Sequence, residues 1–175
     1  MKRILAVAGL VVGLAATAVA AASRPTPTPG GGAGPRPSTE GCMREWLFNG
    51  VWRVQVTRVD QLRHPQPGWG VMTEFRNGTR RNASLHNTGV TANFQLVLAD
   101  GSIMKVLWSP GGIGDRDYYR KLPPGGRMVV QLKFFEDYAE VKPTKLLIEV
   151  QRTGFGQGLY RIPNPSFRIR LDCAR

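Results

Sequence analysis

The stretch VWRVQVT, residues 51–57, alternates large apolar and polar side chains over its whole length. Successive side chains of an extended chain point to opposite sides, so a period of two predicts a β-strand with one buried and one solvent-facing side. The apolar side would consist of Trp52, Val54 and Val56, and the polar side of Arg53, Gln55 and Thr57. This pattern is typical of antiparallel sheets that pack one face on a core.

Six further stretches show the same alternation: 69–75, 94–98, 102–108, 128–134, 146–150 and 167–171. Turn-forming residues separate them, among them Asp100-Gly101 and a Pro-Pro-Gly-Gly run at residues 123–126. No segment from residue 40 onward carries a sustained helical apolar repeat. We therefore predict an all-β fold, an immunoglobulin-like antiparallel β-sandwich of about seven strands, with a closed barrel as the structural alternative.

The segment EFRNGTRRN, residues 74–82, ends the second of these strands. Asn-Gly is favoured where both central residues of a turn need positive φ, so Asn77 and Gly78 are predicted to form such a turn. Asn77 and Asn82 also begin glycosylation sequons, which matter only in a secretory pathway that attaches such glycans.

Four stretches carry a resemblance to a known family: VMTEFRNGT, LVLADG, LPPGGRMVVQLKF and KPTKLLIEV. Together, from about Val51 to Val150, they resemble secreted bacterial telokin-like, immunoglobulin-like domains of unknown function. The resemblance implies a β-sandwich in which a Pro-Gly corner introduces a core strand. That corner is also similar to one in small secreted proteinase inhibitors of sandwich fold. For that alternative the candidate inhibitory loop is 108–126, the longest stretch between core strands.

The N-terminus has the features of an export signal. Lys2 and Arg3 precede an apolar run, residues 4–22, that ends in small residues with Ala-x-Ala cleavage points. We predict a cleaved signal peptide over 1–22, a Pro/Gly-rich disordered linker over 23–39 and the β-sandwich domain over 40–175. A retained N-terminal membrane anchor is the alternative, since a spanning helix needs about 20 residues. Either way, the location indicated is secreted or periplasmic.

The sequence contains two cysteines, Cys42 and Cys173, near the two ends of the predicted domain. In an exported protein an even cysteine count indicates a disulfide, and only one pairing is possible here. A metal or catalytic role is the competing interpretation, but neither cysteine has a ligand partner at the required spacing.

The chain is strongly basic, with a formal net charge of +12, or +10 once Lys2 and Arg3 are removed with the signal peptide. Charge of this size favours polyanions. The candidate contacts are Arg53, Arg76, Arg80, Arg81, Arg127, Lys133, Arg168 and Arg170. The predicted partner is an acidic envelope polymer, an anionic membrane surface or another exported protein; no nucleic-acid motif or outward stacking stripe appears. Solvated charge that only maintains solubility is the simpler alternative.

Catalytic and metal motifs are sparse. His64 and His86 lie in turn-rich stretches, and they would form a copper site only if they met in space with a further ligand such as Met72. Asp115 and Asp117 lack the later glycine and glutamate of a calcium loop. No Gly-x-Ser-x-Gly elbow occurs. We predict a non-catalytic binding protein without a cofactor, with a secreted proteinase inhibitor and a copper-binding envelope protein as alternatives.

Overall fold

The computed structural model describes residues 39–64, 66–105, 113–135 and 140–174. The predicted signal peptide, the linker up to residue 38 and the first part of the candidate inhibitory loop lie outside these ranges. The strands are β1 (Thr39–Met43), β2 (Leu47–Phe48), β3 (Trp52–Leu62), β4 (Gly68–Asn77), β5 (Gln95–Leu98), β6 (Ile103–Lys105), β7 (Arg127–Phe135), β8 (Pro143–Ile148) and β9 (Phe167–Ala174). Three short helical elements lie between strands. They are the helix α1 (Asp115–Tyr119) and two 3₁₀ turns, named the His86 turn (His86–Thr88) and the Phe155 turn (Gly154–Gly156). No helix of the described part is long and apolar enough to cross a membrane.

The strands form two sheets. The five-stranded sheet has the order β1-β9-β8-β5-β6, and the four-stranded sheet has the order β2-β3-β4-β7. The predicted β-sandwich is confirmed, and all seven predicted strands are present as β3 to β9. The sequence pattern did not reveal β1 and β2, which are short. Every pair is antiparallel except β1 and β9, which run parallel.

The core lies between the sheets and follows the predicted phase of each strand. Trp52, Val54 and Val56 are fully buried, as are Phe75 and Leu132 on the neighbouring strands of the same sheet. The opposing sheet contributes a second fully or almost fully buried layer, namely Phe94, Leu96, Leu98, Leu146, Ile148, Phe167 and Ile169. Burial of these alternating apolar side chains drives the sheets together and leaves the polar phase of each strand facing outward.

The predicted Asn77-Gly78 turn is wrong. Asn77 is the last residue of β4, only 1% exposed, and neither it nor Gly78 has positive φ. The chain does not reverse into a hairpin here, because β4 pairs with β3 and β7 and the next strand, β5, belongs to the other sheet. The Asn77 amide instead donates to the carbonyl oxygens of Arg81 (2.7 Å) and Leu122 (2.9 Å). Tertiary hydrogen bonds have overridden the local turn preference.

The predicted Cys42–Cys173 disulfide is confirmed. It joins the parallel pair β1 and β9, with a Cα–Cα distance of 5.5 Å and a sequence separation of 131 residues. The bond therefore fastens the first strand to the last within the five-stranded sheet.

Candidate functional site

Three arginines form a row across the outer face of the four-stranded sheet. Arg53 on β3 lies opposite Arg76 on β4, which in turn lies opposite Arg127 on β7. Side chains directly opposite on neighbouring strands are about 5 Å apart at Cβ, and like charges in these positions destabilise a sheet. The structure must therefore compensate for this row.

The compensation comes from one carboxylate and two aromatic rings. Glu74, whose side chain is 10% exposed, accepts a hydrogen bond from Arg76 Nε at 2.9 Å, and its oxygen lies 3.6 Å from Arg127 Nη1. The Arg53 guanidinium lies 4.6 Å from the centre of the Phe48 ring, and that of Arg76 lies 4.4 Å from the centre of the Trp46 ring. Aromatic faces attract guanidinium groups, so the row is held in place while remaining net positive.

The rest of this outer face is also positive. Arg58 forms an ion pair with Asp60 at 2.7 Å. Lys133 on β7 lies opposite Gly70 of β4, further along the same face. The outward positions of β3, β4 and β7 thus carry more basic than acidic side chains.

A basic cleft opens beside this face, where the chain leaves β4. The cleft has a volume of about 550 Å³ and lies between the segments 79–83 and 158–161. Its lining contains Arg80, Arg81 and Arg161 but neither aspartate nor glutamate. Among the described residues, none of these three guanidinium groups has an ion-pair or hydrogen-bond partner.

Hydrogen bonds of the buried side chains of Asn77 and Tyr160 hold both walls of this cleft. On one side, Asn77 Oδ1 accepts from the backbone N–H and the hydroxyl of Thr79, at 2.9 and 2.8 Å, while the backbones of Ala83 and Leu122 pair with each other. On the other side, the Tyr160 hydroxyl donates to the Thr88 carbonyl oxygen at 2.6 Å. Burial raises the pKa of Tyr160, so its hydroxyl keeps the donating proton well into alkaline solution. The arginines thus extend from a fixed backbone.

The eight predicted basic residues do not share one surface. Arg53, Arg76, Arg127 and Lys133 lie on the four-stranded sheet, and Arg80 and Arg81 line the cleft. Arg168 and Arg170 lie on β9 in the other sheet, where they pair with Glu40 at 3.1 Å and Asp172 at 3.2 Å. Sequence reasoning missed Arg161, because it lies in an irregular segment with no strand phase or motif to single it out.

The two histidines lie at opposite ends of the sandwich. His64 follows the last residue of β3, whereas His86 lies near its first residue, since Trp52 Nε1 donates to Thr88 Oγ1 at 2.8 Å. A strand of this length separates its ends by roughly 30 Å. The structure therefore does not bring the histidines together as the copper-binding alternative requires, and no cluster of metal-ligating side chains occurs in the described ranges.

The described part of the candidate inhibitory loop packs against the body of the domain. Tyr118 of α1 is buried, and its hydroxyl donates to the Val90 carbonyl oxygen at 2.8 Å. Burial raises the pKa of this hydroxyl as well. Leu122 is buried and pairs through its backbone with Ala83. From residue 113 onward, the loop therefore does not have the protruding form that the inhibitor alternative needs.

No protein-family model matches the chain, and no curated protein sequence matches it. Among solved structures, the fold is similar to that of MPT63, a secreted protein from Mycobacterium tuberculosis. The TM-score is 0.50 at 17% sequence identity, over 79% of this chain and 99% of that chain. An uncharacterized beta-sandwich protein from Clostridium difficile 630 matches 77% of this chain and 95% of its own, at 7% identity and a TM-score of 0.45. The likeness to MPT63 shows the β-sandwich fold and, at this identity, the fold alone.

Proposed function

We propose that this domain is an exported, non-catalytic binding module that holds an acidic polymer of the cell envelope in the basic cleft. The observation that carries the proposal is the lining of the cleft, where Arg80, Arg81 and Arg161 converge without an acidic residue. Arginine presents a planar fork of donors that matches carboxylate and phosphate groups, so three such groups around one opening favour an anionic ligand.

The arginine row extends this positive field along the outer face of the adjoining sheet. Arg76 is only four residues before Arg80 along the chain, which limits the distance between their Cα atoms to roughly 14 Å. Fields of like sign add over a Debye length of about 8 Å at physiological ionic strength. A long polyanion would therefore meet the row as well as the cleft, whereas a single small anion would meet the cleft alone.

The exported setting supports an envelope partner. A disulfide between Cys42 and Cys173 is typical of an oxidising compartment outside the cytosol, and the similar MPT63 is a secreted protein. In that compartment acidic polymers and anionic lipid headgroups are the abundant polyanions. An anionic membrane surface and another exported protein are the competing partners, and a comparison with anionic vesicles distinguishes the polymer from the membrane surface.

The test compares two double variants with the same change in net charge. Arg80→Ala/Arg81→Ala removes two cleft arginines, and Arg168→Ala/Arg170→Ala removes the two paired arginines of β9. With polygalacturonate as the acidic polymer, calorimetry should show affinity falling at least roughly tenfold for the cleft variant and less than about twofold for the control. The slope of log affinity against log salt should also become shallower for the cleft variant only.

Equal losses for the two variants would show that net charge matters and the cleft does not, which would overturn the cleft as the binding site. Tighter binding to vesicles containing anionic phospholipid than to polygalacturonate, with the same dependence on the cleft, would replace the polymer by the membrane surface. Thermal unfolding of both variants checks that neither effect comes from a damaged fold.

A further inference from the structure

A cluster of aromatic rings surrounds His86 at the same end of the sandwich as the basic cleft. The centre of the His86 ring lies 4.5 Å from that of Phe155, 4.7 Å from that of Tyr119 and 5.6 Å from that of Tyr118. Tyr118 is buried, but Tyr119 is 49% exposed and Phe155 is 64% exposed. The cluster is therefore anchored on one side and open to solvent on the other.

This exposure needs a reason, because burying such rings would stabilise the fold. Of the six large hydrophobic side chains that the described residues expose, three lie against His86 or in the lining of the groove or cleft: Tyr119, Phe155 and Leu159. Phe155 lies between two glycines at the tip of the Phe155 turn. Its side chain is outside the hydrophobic core and packs against the His86 ring. Exposed hydrophobic groups gathered at one place mark interaction sites more often than scattered ones do.

The backbone beneath the rings is held tightly. The His86 turn ends at Gly89, whose φ is 76°, and a Cβ at Gly89 or Gly156 would collide with the Gln151 carbonyl oxygen. Only glycine allows the two turns to approach this closely. The Trp52 and Tyr160 side chains hydrogen-bond the same turn from inside the core through Thr88. The rings are thus arranged before any ligand arrives.

A groove of about 350 Å³ runs beside the rings. Three rings and two small aliphatic residues supply apolar surface: Phe155, His86, Tyr118, Val90 and Ala92. The polar side chains of the lining are Thr91, Gln151 and Thr153. The lining contains no carboxylate, so the acid pair used in glycoside hydrolysis is missing from it. A mixed apolar and hydroxyl-bonding lining suits an amphipathic ring better than a purely apolar acyl chain.

The groove and the basic cleft share one wall. Asn87 and Thr88 line the cleft, while His86 and Gly89, their immediate neighbours, line the groove. The His86 turn therefore separates the basic cleft from the aromatic groove. A ligand that carries an acidic group next to a sugar ring would match both openings at once.

We propose that the groove is a pyranose subsite and that the acidic polymer of the proposed function, on which this inference rests, is a polysaccharide. One face of a pyranose ring consists of C–H groups, which pack on the exposed Phe155 ring. The hydroxyl groups at its edge exchange hydrogen bonds with the Gln151 amide and with the hydroxyls of Thr91 and Thr153. The acidic substituent of a neighbouring sugar then reaches the cleft arginines.

The experiment uses two polyanions, polygalacturonate with sugar rings and inorganic polyphosphate without them, on the full exported chain. Phe155→Ala should weaken binding of polygalacturonate by roughly threefold to tenfold, the effect of one aromatic contact, and leave polyphosphate binding unchanged. Phe155→Trp should restore polygalacturonate binding, because a larger ring offers the same face. Arg80→Ala/Arg81→Ala should weaken binding of both polyanions.

The outcomes separate the two proposals. If Phe155→Ala leaves polygalacturonate binding intact while the arginine variant weakens both ligands, the pyranose subsite is overturned and the proposed function stands. If the arginine variant changes neither ligand, the proposed function fails, and the acidic polysaccharide fails with it. Equal weakening of both ligands by Phe155→Ala, or loss of self-association in sedimentation, would assign Phe155 another role and overturn the subsite.

Discussion

The basic cleft and the outer face of β9 both carry arginines, yet their surroundings are opposite. In the cleft, Arg80, Arg81 and Arg161 have no acidic neighbour in the lining. On β9, each of Arg168 and Arg170 pairs with a carboxylate at little more than 3 Å. A depression of about 320 Å³ beside Arg168 also contains Glu149, so the charge on that face is mixed.

This difference shows why a net charge does not locate a site. Exposed ion pairs add little stability, but they cancel the field that would attract a polyanion. The arginines of β9 therefore count toward the total charge but should contribute little to the proposed binding. The cleft arginines form no ion pair among the described residues, so no carboxylate cancels their attraction for an anion.

The two regions also differ in how they are held. The five-stranded sheet is fastened covalently through the disulfide of β1 and β9, whereas the cleft depends on buried hydrogen bonds from Asn77 and Tyr160. Four variants and their controls test this difference between the two regions, in order of decreasing effect.

Removing the disulfide should have the largest effect on stability and none on binding. A bond that closes a separation of 131 residues stabilises the fold by roughly 4 to 5 kcal/mol on the chain-entropy model. We expect Cys42→Ser/Cys173→Ser to lower the free energy of unfolding in urea by that amount. Binding of polygalacturonate, measured where the variant is still folded, should be unchanged. A matching loss of affinity would mean that the cleft depends on the five-stranded sheet and is not held independently of it.

Asn77→Ala should destabilise the fold less but should damage the cleft. The substitution removes one of the two donors to each of the Arg81 and Leu122 carbonyl oxygens, which keep the Thr79 hydroxyl and the Ala83 N–H, at a cost of roughly 1 to 3 kcal/mol. The segment that carries Arg80 and Arg81 then loses its fixed position, so affinity for the polyanion should also fall. Asn77→Asp keeps the acceptor for Thr79 but puts a buried negative charge opposite the two carbonyl oxygens, so it should destabilise the fold more than Asn77→Ala. Wild-type affinity in Asn77→Ala would show that the loop needs no such anchor.

Tyr160→Phe should change how stability responds to alkaline pH. Burial holds the pKa values of Tyr118 and Tyr160 above their ordinary 10.0. Above pH 10 the unfolded chain therefore releases these protons while the folded one keeps them. Stability is full below about pH 10 and falls above it, by at most about 1.4 kcal/mol per pH unit for each tyrosine.

The variant should lose about 1 kcal/mol at pH 7, through the hydrogen bond to Thr88, and then decline less steeply than the wild type between pH 10 and 12. Urea unfolding across that range gives the comparison. Parallel declines of the two proteins would show that Tyr160 is not protected from solvent as the structure indicates.

Glu74→Gln should have the smallest effect, and it is the one variant expected to raise affinity for the polyanion. Neutralising this carboxylate leaves Arg76 and Arg127 uncompensated, so affinity for the polyanion should rise by roughly twofold at low salt. Glu40→Gln makes the same change in charge next to Arg168 on the other sheet. Calorimetry should show a smaller rise for Glu40→Gln; an equal rise would indicate that the position of the charge is unimportant.

Much of the fold is encoded locally. The alternation around Trp52, Phe75 and Ile148 predicted which side of each strand is buried, because the period of a strand is two wherever it lies in a sheet. The pairing of Cys42 with Cys173 followed from their number alone. Strand phase depends on near neighbours in the chain, and the disulfide required only the cysteine count of an exported protein, so neither prediction needed the strand order.

The site depends on contacts that the chain sequence does not show. Strand phase marked Arg53, Arg127 and Arg168 alike as outward-facing, and only the order of the strands separates the first two from the third. The Asn77-Gly78 dipeptide predicted a turn, but in the folded chain the Asn77 amide donates to the carbonyl oxygens of residues 81 and 122. Arg161 meets Arg80 across a cleft formed by segments about eighty residues apart. The field at a surface is the sum over charges that are close in space, and closeness of this kind arises only when the sheets have packed.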